Sequence, residues 1–387
     1  MKILVVCQYY YPEPFRLNDI CEEFVKRGHE VTVVTGTPNY PMGEIYKGYE
    51  NGAKSDEILN GVKVHRCKIF PRKTGTLHRV LNYYSYPSKS TKYINSLKEK
   101  FDVVFINQLS PVMMARAGIK YAKKHKVKSV LYCLDLWPES LVAGGIGRSS
   151  LMYKFFHYES AKIYKNVDKV LVTSRSFTEY FKGEFGIKEV DYLPQYAENL
   201  FNPDECKKEP DEYIDLMFAG NVGIAQSVKT AIEAAKKCKD IKNLRWHIVG
   251  DGVELENLKT MSEGLPVSFY GRKPLEEMPK YYSMADAMLV TMQKDPVLSL
   301  TLPGKVQSYM AAGKTIIGAI DGETQKIVDE SECGFVVGAE EASKLENIVR
   351  EFVRLEKRKS LGRNGREYYE KYFSKNGFIE KLEKTFN

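Results

Sequence analysis

The sequence predicts an α/β protein built from two doubly wound, Rossmann-like halves, each a parallel sheet with helices on both faces. Three observations carry this. Short apolar runs alternate with longer amphipathic stretches along most of the chain. The runs end in turns rich in Gly, Pro, Asn or Asp. The alternation runs out near Tyr192 and begins afresh at Asp215.

Length and composition set the bounds. A chain of 387 residues suffices for two domains of ordinary size. The boundaries expected are 1–195 and 196–365, with a C-terminal helix over 366–387 returning to the N-terminal domain. Hydrophobic residues at 43% and charged residues at 28% exclude a disordered chain. No apolar run approaches the ~20 residues of a membrane span, and Met1-Lys2 followed by Ile3 to Val6 suits a first buried strand better than a signal peptide. The seven cysteines are scattered without a CxxC pair, which points to reduced thiols rather than disulfides or zinc. The net charge of +8 is uneven: residues 1–200 carry 30 Lys/Arg against 20 Asp/Glu, the remainder 28 against 30. No nucleic-acid motif accompanies the basic half, so an anionic membrane surface or a phosphate-bearing substrate is the expected partner.

In chain order, the strand ending at Cys7 leads to Gln8-Tyr9-Tyr10-Tyr11-Pro12. A helix follows over Arg16 to Arg27, with Leu17, Ile20, Phe24 and Val25 on one face, and then a strand over Val31 to Thr35. This is a βαβ unit. Gly36 to Tyr49 reads as a loop and Val62 to Cys67 as a strand. Arg66 to Tyr93 carries seven Lys/Arg (among them Arg72, Lys73 and Arg79), no acidic residue, and interleaved aromatics. Such a stretch suits either an anionic membrane surface or an ordinary helix with its aromatics turned inward. Strands at Val103 to Ile106 and Ser129 to Tyr132 flank a helix over Met113 to His125. Asp135 and Glu139 come directly after the second strand, where parallel sheets bind ligands. Val170 to Thr173 reads as the last strand of this half, and Tyr192 to Pro203 as a linker.

The second half holds strands at Asp215 to Phe218, Trp246 to Val249, Val267 to Tyr270, Ala287 to Thr291, Thr315 to Ala319 and Gly334 to Val337, separated by helices. Its turns are Gly220-Asn221-Val222-Gly223, Gly250-Asp251-Gly252 and Gly271-Arg272. Its centre is Ser299 to Gly313, where Leu302-Pro303-Gly304 opens a short helix and Gly313 closes it. Lys305 then stands in the first turn, beside free N–H groups and the positive dipole end. A solvated lysine at an unremarked helix start is the competing reading.

The ordered set Arg27 to Thr35, the Gly220 turn, Val249 to Gly252, Phe269-Tyr270-Gly271 and Tyr309 to Lys314 resembles glycosyltransferase family 4, retaining nucleotide-sugar transferases of the GT-B fold. Pro38-Asn39-Tyr40-Pro41, Asp135 to Glu139, Gly220 to Gln226 and Leu302 to Lys305 resemble a branch of bacterial capsule and O-antigen enzymes. Members extend a sugar on a polyprenyl diphosphate carrier, and some are assigned to transfer of N-acetyl-fucosamine. The resemblance implies two domains facing each other across a cleft, a UDP-sugar donor, no further cofactor, and a cytoplasmic enzyme peripherally bound to the inner face of the membrane. Where the wider family has two glutamates eight positions apart, this chain has Leu300 and Ser308. The family's arginine and lysine of the first C-domain loop fall on Asn221 and Gln226, and its N-domain histidine falls near Leu134.

Lys305 is therefore the expected cation for the leaving diphosphate, with Arg272 second and Asp135 the third catalytic candidate. The Gly220 to Gly223 turn, with Gln226, would approach the phosphates closely. Asp251 or Ser308 would reach the ribose, and the backbone near Gly271 the base. Gly250, Gly252 and the Leu302 to Gly304 entry complete the donor set. Tyr11, Arg16, Asn39, Tyr40 and Glu139 are expected at the acceptor, although Asp135 would equally cap a helix and Arg16 pair with a carboxylate. No Asp-x-Asp pair occurs, so no metal is expected to hold the diphosphate. A nucleotide-sugar 2-epimerase and an inactive nucleotide-sugar-binding protein share this architecture and remain alternatives.

Overall fold

The computed structural model describes residues 1–71, 76–143 and 145–387 (for 76–79 and 143, the backbone alone). The chain divides into two compact units. One comprises Met1–Leu193 with Ile379–Asn387, the other Pro194–Phe378.

Unit 1 begins with β1 (Lys2–Val6), α1 (Leu17–Lys26) and β2 (Glu30–Gly36). Leu17, Ile20, Cys21 and Phe24 of α1 are buried at the i, i+3, i+4, i+7 spacing of one helical face. The next elements are β3 (Asp56–Leu59), β4 (Val62–Cys67), α2 (Thr76–Ser96) and β5 (Val103–Gln108). A 3₁₀ turn at Val112–Ala115 then runs into α3 (Arg116–His125). The rest is β6 (Lys128–Cys133), α4 (Glu139–Ala143), α5 (Leu151–Tyr164), β7 (Lys169–Val172), α6 (Arg175–Phe185) and β8 (Val190–Tyr192). The sheet order is β3-β4-β2-β1-β5-β6-β7-β8, parallel throughout except for the β3–β4 pair. All six residues of β5 are buried, as a central parallel strand covered on both faces requires. The order reverses between β1 and β5, and sheets of this kind bind ligands beyond the carboxyl ends at such a switch point.

Several elements differ from expectation. The sheet does not end at Thr173, because β8 adds a further parallel strand beside β7. The edge strand β3 is too short and too polar to show as an apolar run. Helix α5 is apolar on two faces, which hides its period. In the basic stretch, Arg66 is 5% exposed and Tyr86 fully buried, its hydroxyl donating to the Val34 carbonyl at 2.6 Å. Both therefore face inward. Arg72, Lys73 and the side chain of Arg79 lie outside the described residues.

Unit 2 follows with β9 (Ile214–Ala219), α7 (Lys229–Lys237), β10 (Leu244–Val249), α8 (Leu255–Met261) and β11 (Val267–Gly271). Next come α9 (Met278–Tyr282), β12 (Ala287–Thr291), α10 (Gly304–Ala311), β13 (Thr315–Ala319), α11 (Glu323–Ser331) and β14 (Gly334–Val337). Helices α12 (Ala342–Arg354), α13 (Arg358–Tyr372) and α14 (Lys375–Phe386) close the chain. The all-parallel order is β11-β10-β9-β12-β13-β14, and its switch point lies between β9 and β12. The end of α14 belongs to unit 1. There Phe386 packs on Phe24 and Phe105, and Glu383 accepts from Arg27 and His29.

Candidate active site

The switch point of unit 2 brings together the Gly220 turn, which follows β9, and α10, which follows β12. Helix α10 starts at Gly304 with Pro303 as its N-cap. It ends in a Schellman motif: Gly313, at φ +64°, donates to the Met310 carbonyl and Lys314 to that of Tyr309, both at 3.0 Å. The hydroxyl of Tyr309 accepts from the Ala219 N–H at 3.2 Å and so pins α10 against the end of β9.

This docking fixes Lys305. Its Nζ lies 3.7 Å from the centre of the Phe218 ring and 2.8 Å from where a Cβ on Gly220 would stand. Any side chain at 220 would therefore collide with the ammonium group. The residue as a whole is half-buried, but Nζ itself is enclosed and has no hydrogen-bond partner. Burial pulls its pKa down to about 7. An enclosed amine with an aromatic face and no acceptor would hold its proton more readily beside an anion.

The glycine turns pack backbone to backbone. Val222 N–H donates to the Asp251 carbonyl at 2.9 Å, and Glu254 N–H to the Val222 carbonyl at 3.1 Å. Gly250 has φ +144°, and a Cβ there would stand 1.8 Å from the Gly220 carbonyl oxygen. Gly250 and Gly252 thus serve the approach of the two turns. Val222, expected at the donor, is fully buried and belongs to the core. Asn221 donates to the Gln226 Oε1 at 2.9 Å, as does Gly223 N–H at 3.2 Å, so these polar groups brace the turn. Asp251 is exposed and accepts from Gly252 N–H at 2.8 Å. Ser308 is 7% exposed, and its hydroxyl donates to the Gly304 carbonyl at 3.3 Å, within its own helix. Leu302 is buried, whereas Arg272 stands exposed just past β11, after Gly271 at φ +67°.

In unit 1 the loops after β1 and β2 are joined by a residue that the sequence reading missed. Glu13 is fully buried. Its carboxylate accepts from Asn39 N–H at 2.9 Å, Tyr40 N–H at 2.7 Å and Tyr10 N–H at 3.2 Å. Burial pushes its pKa up to about 7, against those three bonds and the nearby Arg66. Beside this clasp the rings of Tyr9, Phe15 and Tyr40 lie 5.4–5.6 Å apart. Tyr11 and Tyr40 are 48% and 40% exposed, as residues that meet a ligand should be. Asn39, expected with them, is buried, and its amide donates to the Thr37 carbonyl at 2.9 Å. Arg16 is half-buried at the start of α1. Asp135 accepts from Ser110 N–H at 3.2 Å, which links the loops after β5 and β6. Glu139 is enclosed instead of open at the acceptor edge: it accepts from the Tyr153 and Tyr180 hydroxyls and pairs with Arg148 at 2.7–2.8 Å. Among the described residues no group of three or more His, Cys, Asp or Glu could hold a metal ion.

Two parallel-sheet α/β units in this order are the build of a GT-B glycosyltransferase. The family models agree: "Glycosyltransferase Family 4" matches residues 16–194 and "Glycosyl transferases group 1" matches 203–368. The chain belongs to glycosyltransferase family 4. It is 25% identical over 348 residues to a protein of Escherichia coli K12 named for colanic acid biosynthesis, the glycosyl transferase WcaI, covering 84% of each chain. Its fold is similar to sucrose-phosphate synthase of Thermosynechococcus elongatus, with a TM-score of 0.76 at 16% identity over 100% of this chain and 98% of that one. It is also similar to the Anabaena protein HepE in complex with UDP and glucose, with a TM-score of 0.71 at 14% identity over 100% and 99%.

Proposed function

We propose that this glycosyltransferase moves a sugar, with retention, from a UDP-sugar to a polyprenyl diphosphate saccharide in the assembly of a bacterial surface polysaccharide. The observation that carries the reading is the enclosed Lys305 Nζ, without a partner, beside the Gly220 turn. Transfer builds negative charge on the departing diphosphate, and a cation fixed there favours the transition state over the bound donor. Lys305 and the first turn of α10 supply that charge, and Arg272 stands at the base side. The similarity to WcaI and to HepE with UDP supports the pathway and the nucleotide. Tyr11 and Tyr40 face the acceptor, whose lipid keeps the enzyme at the inner membrane face. No helix among the described residues is long and apolar enough to cross a membrane.

Thermal shift against a panel of nucleotide sugars, with UDP-N-acetyl-fucosamine first, tests the donor, since a ligand of the folded state raises the melting temperature. Stabilisation by no UDP-sugar would end this reading. Turnover is expected to persist in EDTA, because the chain has no Asp-x-Asp pair and carries a lysine at the diphosphate. Loss of activity in EDTA, restored by manganese or magnesium, would contradict it.

Glu13→Gln tests the acceptor side. Asn39 and Tyr40 donate to one carboxylate oxygen and Tyr10 to the other, so the uncharged amide must set its NH2 against one side of the clasp, which weakens it by about 1–3 kcal/mol. The acceptor KM should rise about tenfold or more, with kcat and donor binding close to wild type. A fall in donor affinity with no change in acceptor KM would show that the clasp does not shape the acceptor loop.

A further inference from the structure

Helix α5 is apolar on both faces. Its inner face buries Tyr153, Phe156, Ile163 and Tyr164 in unit 1. Its outer face leaves Leu151, Met152, Phe155 and Tyr158 at 84%, 43%, 52% and 65% exposed. Leu151, Phe155 and Tyr158 fall at i, i+4 and i+7, which is one stripe. Single exposed apolar side chains are ordinary, but four large ones on adjacent turns form a patch of the kind that marks an interaction site. Lys154, Lys162 and Lys165 are exposed on the same outward side. The helix's only carboxylate, Glu159, is half-buried and paired with Arg116. Alongside lies α2, whose Tyr83 ring is 6.3 Å from that of Phe156 and whose Val80 and Leu81 are each 39% exposed.

We propose that the outer face of α5 is a docking surface for an anionic phospholipid bilayer. The charge pattern selects this occupant. The apolar stripe needs a non-aqueous phase, and the lysines need negative charge beside it. A second copy of the chain supplies the first but not the second, because two-fold pairing would set three lysines against three lysines. An anionic interface supplies both: the rings enter the acyl boundary while the lysine stems lie along it and their ammonium groups reach the headgroups. The docking surface goes beyond the proposed transfer reaction, although a lipid-borne acceptor would give it a use.

The test is flotation of the full chain with vesicles of equimolar phosphatidylglycerol and phosphatidylcholine, and with vesicles of phosphatidylcholine alone. The wild type should bind the first, release in high salt as screening shortens the Debye length, and leave the second largely unbound. The double changes Phe155→Ser with Tyr158→Ser, and Lys154→Glu with Lys162→Glu, should each lower binding about tenfold or more. Both pairs are solvent-exposed, and melting curves like the wild type would confirm that the fold survives. Equal binding by the variants, or equal binding of the wild type to both vesicles, would overturn the proposal. So would a wild-type dimer that the Phe155/Tyr158 change dissociates, found without vesicle binding. Donor turnover on a water-soluble acceptor should be unchanged in both variants. If the wild type turns over no nucleotide sugar yet docks as described, the reaction fails and the docking surface stands.

Discussion

Lys305→Ala is expected to lower turnover by about 30- to 1000-fold, the loss of roughly 2–4 kcal/mol of transition-state stabilisation when one fixed charge at a leaving group is removed. UDP binding should weaken with it. A mutant with wild-type kinetics would remove Lys305 from the reaction. Stability offers a second, independent sign. In the free protein burial pulls the Lys305 pKa down to about 7, whereas the unfolded lysine titrates at 10.5. Between those values the unfolded chain holds the proton and the folded chain does not, so falling pH favours unfolding. The stability is lost progressively as pH drops from 10.5 to 7 and stays lost below 7, reaching roughly 5 kcal/mol at most. In Lys305→Met this part of the pH dependence should vanish, and the free variant at pH 7 should melt at or above the wild type. A bound diphosphate restores the ammonium form, so UDP binding near pH 8 should take up a proton. Calorimetry in buffers of different ionisation enthalpy reads that uptake, and its absence would show that the diphosphate does not reach Nζ.

Gly250→Ala should damage both the fold of unit 2 and UDP binding. The added Cβ would stand 1.8 Å from the Gly220 carbonyl oxygen, which is backbone and has no rotamer to escape into. The residue also sits at φ +144°, where side chains are strained. The two turns must part, at a cost of about 3–5 kcal/mol, enough to lower the melting temperature by about 10 °C and to abolish UDP binding. Gly264→Ala is the control: φ is +74°, and nothing lies within 4 Å of the new atom. It should cost about 1 kcal/mol and leave UDP binding intact. Equal effects of the two substitutions would mean that the contact between the turns is not what the glycine serves.

The α/β class and the start and stop of α10 were written in local sequence. A parallel strand buried on both faces must be a continuous apolar run, so Val103 to Ile106 declares itself. Proline can begin a helix, and a glycine at positive φ can end one, so Pro303 and Gly313 bracket α10. Other features depended on which chain segments meet. Glu13 stands among tyrosines and prolines with no pattern to mark it, because most of its partners are backbone N–H groups contributed by another loop. The exposed face of α5 was hidden because its apolar residues lie on two faces with charged ones between them, which leaves no single stripe to read. Val222 and Glu139 lie in promising turns yet face the interior, since burial is set by the neighbours and not by the motif. The state of Lys305 follows from strand order alone. Its place in the first helical turn was legible, but only the adjacency of β9 and β12 puts Phe218 and Gly220 over its ammonium group, removes the water, and leaves a charge that a diphosphate can satisfy.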